Sequence, residues 1–267
     1  MSYSAWAKRK RLYYAFGAFL LFLGILIPFI IPFFIENPTC FDGKQNQGET
    51  AIDMGGPCIR LDPRTLDNLQ VLWVRPTKIR DGVYNAVAYV KNPNLIAATK
   101  NLPFKISLYN SRGALIAEKI ETTDVYPGRV FPVFVSDLNT GYEKASIATL
   151  RFLKNKEQLI WFKKVQDLSD FIGIKNKQIK LTPRSTFLDI KVQNTSIEDL
   201  SDIYFTAVLF DENGNAILSA RNYEPYILSG QSKTLRFSWP VRFKASSFDV
   251  TALVEFDYPE ELKAYAK

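Results

Sequence analysis

The sequence predicts an all-β protein in which two tandem β-sandwiches follow a single N-terminal transmembrane α-helix. Two observations predict the sandwiches: short runs alternate apolar with polar residues, and turn-forming residues recur roughly every 8–12 positions. A third observation predicts the helix, because residues 12–35 form an uncharged run of about 24 residues, enough to cross the hydrocarbon core of a bilayer.

The charges that flank the apolar run predict its orientation. Four basic residues, Lys8 to Arg11, precede it, and Glu36 is the first charge after it. The positive-inside tendency then predicts a cytoplasmic basic tail over residues 1–11, a single-pass helix in the cell membrane over 12–35, and an extracytoplasmic remainder. A cleaved signal peptide is the alternative. It is disfavoured because such peptides have apolar regions of roughly 7–15 residues and a small-residue cleavage site, which the exit Pro32–Pro38 lacks.

Composition excludes several classes of function. The formal charge is +7, and removing the four basic residues of the tail leaves +3, so the charge gives no support for a nucleic-acid partner. The chain has no histidine, which excludes Ser-His-Asp and Cys-His catalysis and histidine metal sites. No nucleotide-binding or zinc-protease motif occurs either. We therefore predict a protein that is not an enzyme and has no catalytic residues.

The two cysteines, Cys40 and Cys58, both fall in the predicted extracytoplasmic part. An oxidising compartment favours a disulfide between them, and a pair of reactive thiols is the alternative. We predict a disulfide-closed loop over residues 36–66.

Oxygen-bearing side chains recur inside this loop, at Asp42, Asn46, Glu49 and Asp53, among glycines that permit tight turns. Hard cations bind to several oxygen ligands on a sharply folded backbone, so the pattern predicts a possible calcium ion as the protein's one cofactor. The alternative is a structural spacer whose polar side chains cap turns. The stretch also resembles a cysteine-and-acid repeat of exported bacterial proteins, C-x-D-G-x-x-N-x-x-E-x-x-x-D-C-G-G-x-C, with Met54 in place of the inner cysteine.

Two segments match each other at an offset of about 101–104 residues, which predicts one β unit in two copies, residues 67–165 and 166–267. Alternation predicts which residues face each core. In the first copy these are Ala86, Ala88, Val90, Phe104, Ile106, Leu108, Ser146, Ala148, Leu150 and Phe152. In the second they are Leu188, Ile190, Val192, Phe205, Ala207, Leu209, Val250, Ala252, Val254 and Phe256. A short connection near 164–177 predicts a semi-rigid pair.

Both copies place the same turn chemistry after their central strand. Asn110 and Asp211 each stand three residues before a glycine, Gly113 and Gly214. The pattern predicts a type I turn in which glycine takes the positive-φ position of a hairpin bulge.

The strand ends Leu108-Tyr109-Asn110 and Leu209-Phe210-Asp211, with their downstream glycine turns, resemble the FxLYD domain. That family belongs with the immunoglobulin-like sandwiches related to the late-embryogenesis-abundant/WHy group. The resemblance covers most of residues 67–267. It implies an immunoglobulin-like fold and an exported or surface-anchored, non-catalytic module.

These expectations favour a binding or structural module of the cell envelope, anchored in the lipid bilayer, with an envelope protein or polymer as partner. One alternative is a carboxylate-dependent envelope hydrolase, which a pocket holding two carboxyl groups about 5–10 Å apart would favour. Another is a subunit of a larger envelope assembly that uses the membrane helix as its interface. The aromatic residues Tyr109, Tyr204 and Phe210 have two interpretations: stacking on sugars, or packing between the domains or at a sheet edge.

Overall fold

The computed structural model describes residues 3–34, 38–243 and 245–265 of the 267-residue chain. It divides into two compact units, residues 1–57 and 58–267. The first unit contains helix α1, Tyr3–Phe34, in which Trp6–Ile30 is long and apolar enough to cross a membrane. The helix begins before the predicted span because the basic tail contains no helix-breaking residue. Ile35 and Glu36, at the predicted exit, lie outside the described residues.

Strands β1 to β7 form the N-terminal sheet pair. One sheet has the order β1-β2-β5 and the other β4-β3-β6, and the short β7 pairs with β3. The strands are β1 Gln70–Arg80, β2 Val83–Lys91, β3 Ala97–Tyr109, β4 Leu115–Val125, β5 Val130–Asn139, β6 Ile147–Phe152 and β7 Phe162–Lys163.

Strands β8 to β13 form the C-terminal sheet pair. Its sheets have the orders β12-β9-β8 and β11-β10-β13. The strands are β8 Ile172–Leu181, β9 Thr186–Asn194, β10 Leu200–Phe210, β11 Ala216–Ile227, β12 Ser232–Trp239 and β13 Ser247–Val254. The structure is thus mostly β-sheet, with sandwich-like sheets and one N-terminal apolar helix.

The predicted inward faces build the two cores. In the first copy, Ala86, Ala88 and Val90 on β2 are fully buried beside Phe104, Ile106 and Leu108 on β3, and the predicted side chains of β6 pack against them more loosely. In the second copy, the predicted residues of β9, β10 and β13 are buried in one cluster. Two assignments were wrong. Ser146 is exposed, because it lies in the connection before β6 and not on the strand. Phe256 is buried in the core of the N-terminal sheet pair, because the chain crosses to that pair after β13.

The predicted turns are confirmed in both copies. Asn110 accepts hydrogen bonds from Arg112 N and Ala114 N through its Oδ1, and Gly113 has φ +78°. Asp211 accepts equivalent hydrogen bonds from Asn213 N and Asn215 N. The strand register also shifts at the same place in each hairpin, which is the predicted bulge.

The two sheet pairs pack against each other through the outer faces of the β1-β2-β5 and β11-β10-β13 sheets. Val87, Phe134 and Val208 are buried in this contact, and Trp73, Tyr89, Phe210 and Ala216 pack around them. These residues alternate with those that point into each pair's own core, so each of the two sheets is apolar on both faces. The second compact unit therefore contains both sheet pairs.

The C-terminal segment also joins the sheet pairs. Leu262 is fully buried in the N-terminal core, and the ring of Phe256 packs edge-on against Tyr126 with centroids 5.2 Å apart. The buried Lys100 on β3 donates a hydrogen bond to the Phe256 carbonyl and forms an ion pair with Glu255, at 3.3 Å. The end of the chain is thereby held on the opposite sheet pair.

Candidate binding cleft between the sheet pairs

A cleft opens where the two sheet pairs diverge beside their apolar contact. It consists of two cavities of about 460 and 350 Å³. Both are lined by Glu121 from β4, Tyr204 from β10 and Arg221 from β11, so they lie on either side of these three residues. Their volumes fall within the range of about 300–1,000 Å³ that is typical of small-molecule pockets.

Alternate side chains of β11 face this cleft, because successive residues of a strand point to opposite faces of the sheet. Ser219, Arg221 and Tyr223 occupy every second position of β11 and therefore project from the same face of the sheet. Ser219 is fully buried at the contact between the pairs, and Tyr223 is 46 % exposed at the rim. Arg221 lies between them, at the centre of the cleft.

Arg221 has unusual surroundings for a charged side chain. Its Nε donates to Thr206 Oγ1 at 3.3 Å, and its guanidinium lies over the rings of Phe134 and Tyr204, 5.2 and 5.6 Å from their centroids. Among the described residues no carboxylate lies within ion-pair distance of it. Burial lowers its pKa, although the nearby Glu121 acts in the opposite sense. The terminal guanidinium nitrogens are left to donate into the cleft.

Two phenol groups add to these free donors. Tyr126 is only 4 % exposed, yet in the part of the chain that the structure describes its hydroxyl has no hydrogen-bond partner. It lines the smaller cavity, and burial raises its pKa well above the usual value. The Tyr204 hydroxyl is likewise unpartnered among the described side chains, and burial raises its pKa too.

The cleft also contains acids, and lysines neutralise them in part. Glu121 pairs with Lys119 at 2.8 Å. Lys100 pairs with two of them: its Nζ lies 3.6 Å from Oδ2 of Asp124 and 3.3 Å from Oε1 of Glu255. Burial raises the pKa of Asp124, although the Asn101 amide, which donates to its carboxylate at 3.0 Å, lowers it. The cleft thus offers both hydrogen-bond donors and acceptors, beside aromatic rings.

The predicted calcium residues lie together in the loop that precedes the sheet pairs, where their carboxylates accept backbone hydrogen bonds. Asp42 accepts from Lys44 N at 2.8 Å, Asp53 from Gly43 N at 3.1 Å, and the buried Glu49 from Asp53 N at 3.2 Å. The amide oxygen of Asn46 is buried without a hydrogen-bond partner, while its nitrogen donates to Asp42 at 2.9 Å. The donor set is all oxygen, which fits a hard cation, and the hydrogen bonds equally fit a turn-capping spacer.

Cys40 and Cys58 form the predicted disulfide that closes this loop. Of the three aromatic residues, Phe210 packs in the contact between the sheet pairs, where Trp73 meets it edge-on with centroids 6.3 Å apart. This confirms the packing interpretation for Phe210. Tyr204 lines the cleft instead. Arg221, Tyr126 and Glu121 had no sequence signal, because the cleft arises only when the two sheet pairs stack.

No family model matches the chain, and no curated protein matches it. Among solved structures, red sea bream transglutaminase is 11 % identical over 73 % of this chain and 32 % of its own, with a TM-score of 0.24. An exo-chitosanase of Amycolatopsis orientalis is 14 % identical over 62 % of this chain and 23 % of its own, with a TM-score of 0.22. A tandem CBM22 pair of Paenibacillus barcinonensis Xyn10C is 9 % identical over 72 % of this chain and 84 % of its own, with a TM-score of 0.15. The chain therefore spans about a third or less of the first two proteins.

Proposed function

We propose that this chain is a single-pass membrane protein whose sheet pairs lie outside the cytoplasm and bind a component of the cell envelope without transforming it. The apolar helix and the basic residues before it support the anchor and its orientation. The Cys40–Cys58 disulfide supports an oxidising compartment for the rest of the chain.

We further propose that each sheet pair is an immunoglobulin-like domain of the FxLYD type. The support is the repeated detail in the two copies. Asn92 and Asn194 are both buried, and each donates through Nδ2 to two backbone carbonyls. The turns at Asn110 and Asp211 repeat as well.

The observation that carries the binding role is the unpartnered polar surface of the cleft. The cleft concentrates three groups that have no protein partner for some of their hydrogen bonds among the described residues: the terminal nitrogens of Arg221 and the hydroxyls of Tyr126 and Tyr204. Because these groups line the cavities, water solvates them in the free protein. A ligand that hydrogen-bonds to all three would replace that water with contacts to groups already held in position.

Site-specific photocrosslinking in native membranes tests the proposal. A photoreactive residue at position 223, on the cleft rim, is expected to give a reproducible adduct with an envelope protein or polymer. The matched control is position 142, a tyrosine fully exposed in the β5–β6 turn, which is expected to give none. Capture equal at both positions, or at neither, would contradict a binding role for the cleft.

A carboxylate-dependent hydrolase is the second candidate function. The specific observation in its favour is that Asp124, with its raised pKa, shares a cavity with Glu121 and Glu255. A buried carboxyl that keeps its proton is the usual general acid of glycosidases. Lys100 opposes that role, because its positive charge beside Asp124 lowers the pKa of that carboxyl and so favours the charged form. Cleavage products from a candidate polymer, lost in Asp124→Asn, would establish the hydrolase.

A further inference from the structure

We propose that the ligand of the cleft is a saccharide with several free hydroxyl groups, recognised by Tyr126, Tyr204, Arg221 and Glu121. This inference rests on the proposed binding function and names its ligand class. It is argued from the charges, the free hydrogen-bonding groups and the aromatic rings of the cleft.

The balance of charge disfavours a simple ion. An anion such as phosphate would meet Arg221, but Glu121, Asp124 and Glu255 line the same cavity. A cation would meet those carboxylates, but Arg221 stands among them and Lys100 and Lys119 already pair with them. Opposite charges placed so close together favour a neutral ligand that interacts with both.

Hydroxyl groups satisfy both kinds of partner at once. Each can donate one hydrogen bond and accept two, so vicinal hydroxyls can accept from the Arg221 guanidinium while donating to a carboxylate. Tyr126 is only 4 % exposed, and its ring packs against Phe131 and Phe256, so its hydroxyl is fixed in position before the ligand arrives. Such a preformed group loses little conformational entropy on binding.

Aromatic rings at the rim complete this chemistry. Tyr204 and Tyr223 lie with ring centroids 5.1 Å apart, and the Tyr223 hydroxyl donates to Asp202 at 2.5 Å, which fixes the ring of Tyr223. A sugar ring has one face of C–H groups that can lie on such a surface, while its hydroxyls point to the polar groups. The cleft therefore presents an aromatic wall beside polar groups that both donate and accept.

Titration calorimetry of the full-length protein in detergent tests the ligand class. The probes are soluble hexasaccharides of β-1,4-linked glucose, xylose, mannose and N-acetylglucosamine, with phosphate and spermidine as ionic probes. We expect at least one hexasaccharide to bind and neither ionic probe to do so. Tyr126→Phe removes only the free hydroxyl and is expected to raise the Kd about tenfold. Tyr142→Phe is the matched control and is expected to leave the Kd unchanged.

Arg221→Met is expected to raise the Kd more than Tyr126→Phe, since it removes several donors. If Arg221→Met fails to fold, Tyr126→Phe still decides the question because its ring packing is kept. The saccharide proposal would be overturned if only phosphate or spermidine bound. It would also be overturned if Tyr126→Phe left the affinity for the hexasaccharide unchanged. If no hexasaccharide binds while crosslinking at position 223 still captures a partner, the saccharide proposal is wrong and the proposed binding function stands. If neither calorimetry nor crosslinking detects a ligand, the cleft has no binding role.

Discussion

Thr77 on β1 and Ser219 on β11 join the two sheet pairs through a hydrogen bond between their hydroxyl oxygens, 2.6 Å apart. Both side chains are buried, at 1 % and 0 % exposed, and they are 142 residues apart in sequence. Asn85 adds a second link by donating through Nδ2 to the Ser219 carbonyl at 3.0 Å. The contact between the pairs is therefore polar as well as apolar.

We predict that Thr77→Val lowers the free energy of unfolding by about 1–3 kcal/mol, because it leaves the buried Ser219 hydroxyl without its partner. Ser219→Ala should have a similar effect, and the double variant should lose less than the sum of the two. Urea unfolding measures all three. Thr149→Val, at an exposed position of β6, is the control and should change stability by less than about 0.5 kcal/mol. A loss of stability for Thr77→Val no larger than that for Thr149→Val would contradict the prediction.

Strand alternation predicted most of each core but not how the two pairs stack. Ala86 and Ala88 alternate as expected, and Val87 between them is also apolar, which is the pattern of a strand buried on both faces. That signal, repeated at Val208, could have indicated the contact between the pairs. The cleft could not have been predicted, because Glu121 on β4 and Arg221 on β11 line one cavity only once that contact has joined the two sheet pairs.

A second prediction concerns the equivalent buried asparagines Asn92 and Asn194. Each Nδ2 donates to two backbone carbonyls, at 2.8 and 2.9 Å for Asn92 and at 2.7 and 3.0 Å for Asn194. Replacing either with alanine should cost about 2–4 kcal/mol, because both carbonyls lose their donor inside the protein. Asn213→Ala, in an exposed turn, should be nearly neutral. Urea unfolding measures the free energy of unfolding of each variant. A large decrease for only one of the two asparagines would refute their structural equivalence.

A third prediction follows from Asp189 on β9. Arg236 donates to it from Nε at 2.6 Å and from Nη2 at 3.0 Å, and Lys180 lies 3.0 Å away. The hydrogen bond from Arg236 is the main cause that lowers the pKa of Asp189 to about 2. Because the folded-state pKa lies below the unfolded value, the stabilisation is present above about pH 4 and is lost as the pH falls towards 2.

Asp189→Asn should therefore destabilise the protein at pH 7 and have progressively less effect below about pH 4. The lysine and arginine side chains are half or more exposed, so water and salt screen the pair and we expect a loss of about 1 kcal/mol at pH 7. Urea unfolding at a series of pH values measures it. A difference between parent and variant that stays constant from pH 7 to pH 2 would rule out Asp189 as the titrating group.

The fourth prediction tests calcium in the disulfide-closed loop. Gly43 N donates to Asp53 and Asp53 N donates to Glu49, so an ion bound by these carboxylates would change the surroundings of both amides. The calcium hypothesis predicts saturable NMR shifts of these two amides in the full-length protein at millimolar calcium. It also predicts a higher melting temperature, because binding stabilises the folded state by mass action.

Asn46→Ala should weaken the calcium response, since it removes the amide oxygen that is buried without a hydrogen-bond partner. The amide of Gly113, which donates to the Asn110 carbonyl in a turn of the N-terminal sheet pair, is the internal control and should not shift. If calcium changes neither the NMR shifts of these amides nor the melting temperature, the loop is a hydrogen-bonded spacer. Asp53→Ala would then still loosen it, because Gly43 N would lose its acceptor, and faster hydrogen exchange at Gly43 would report that loss.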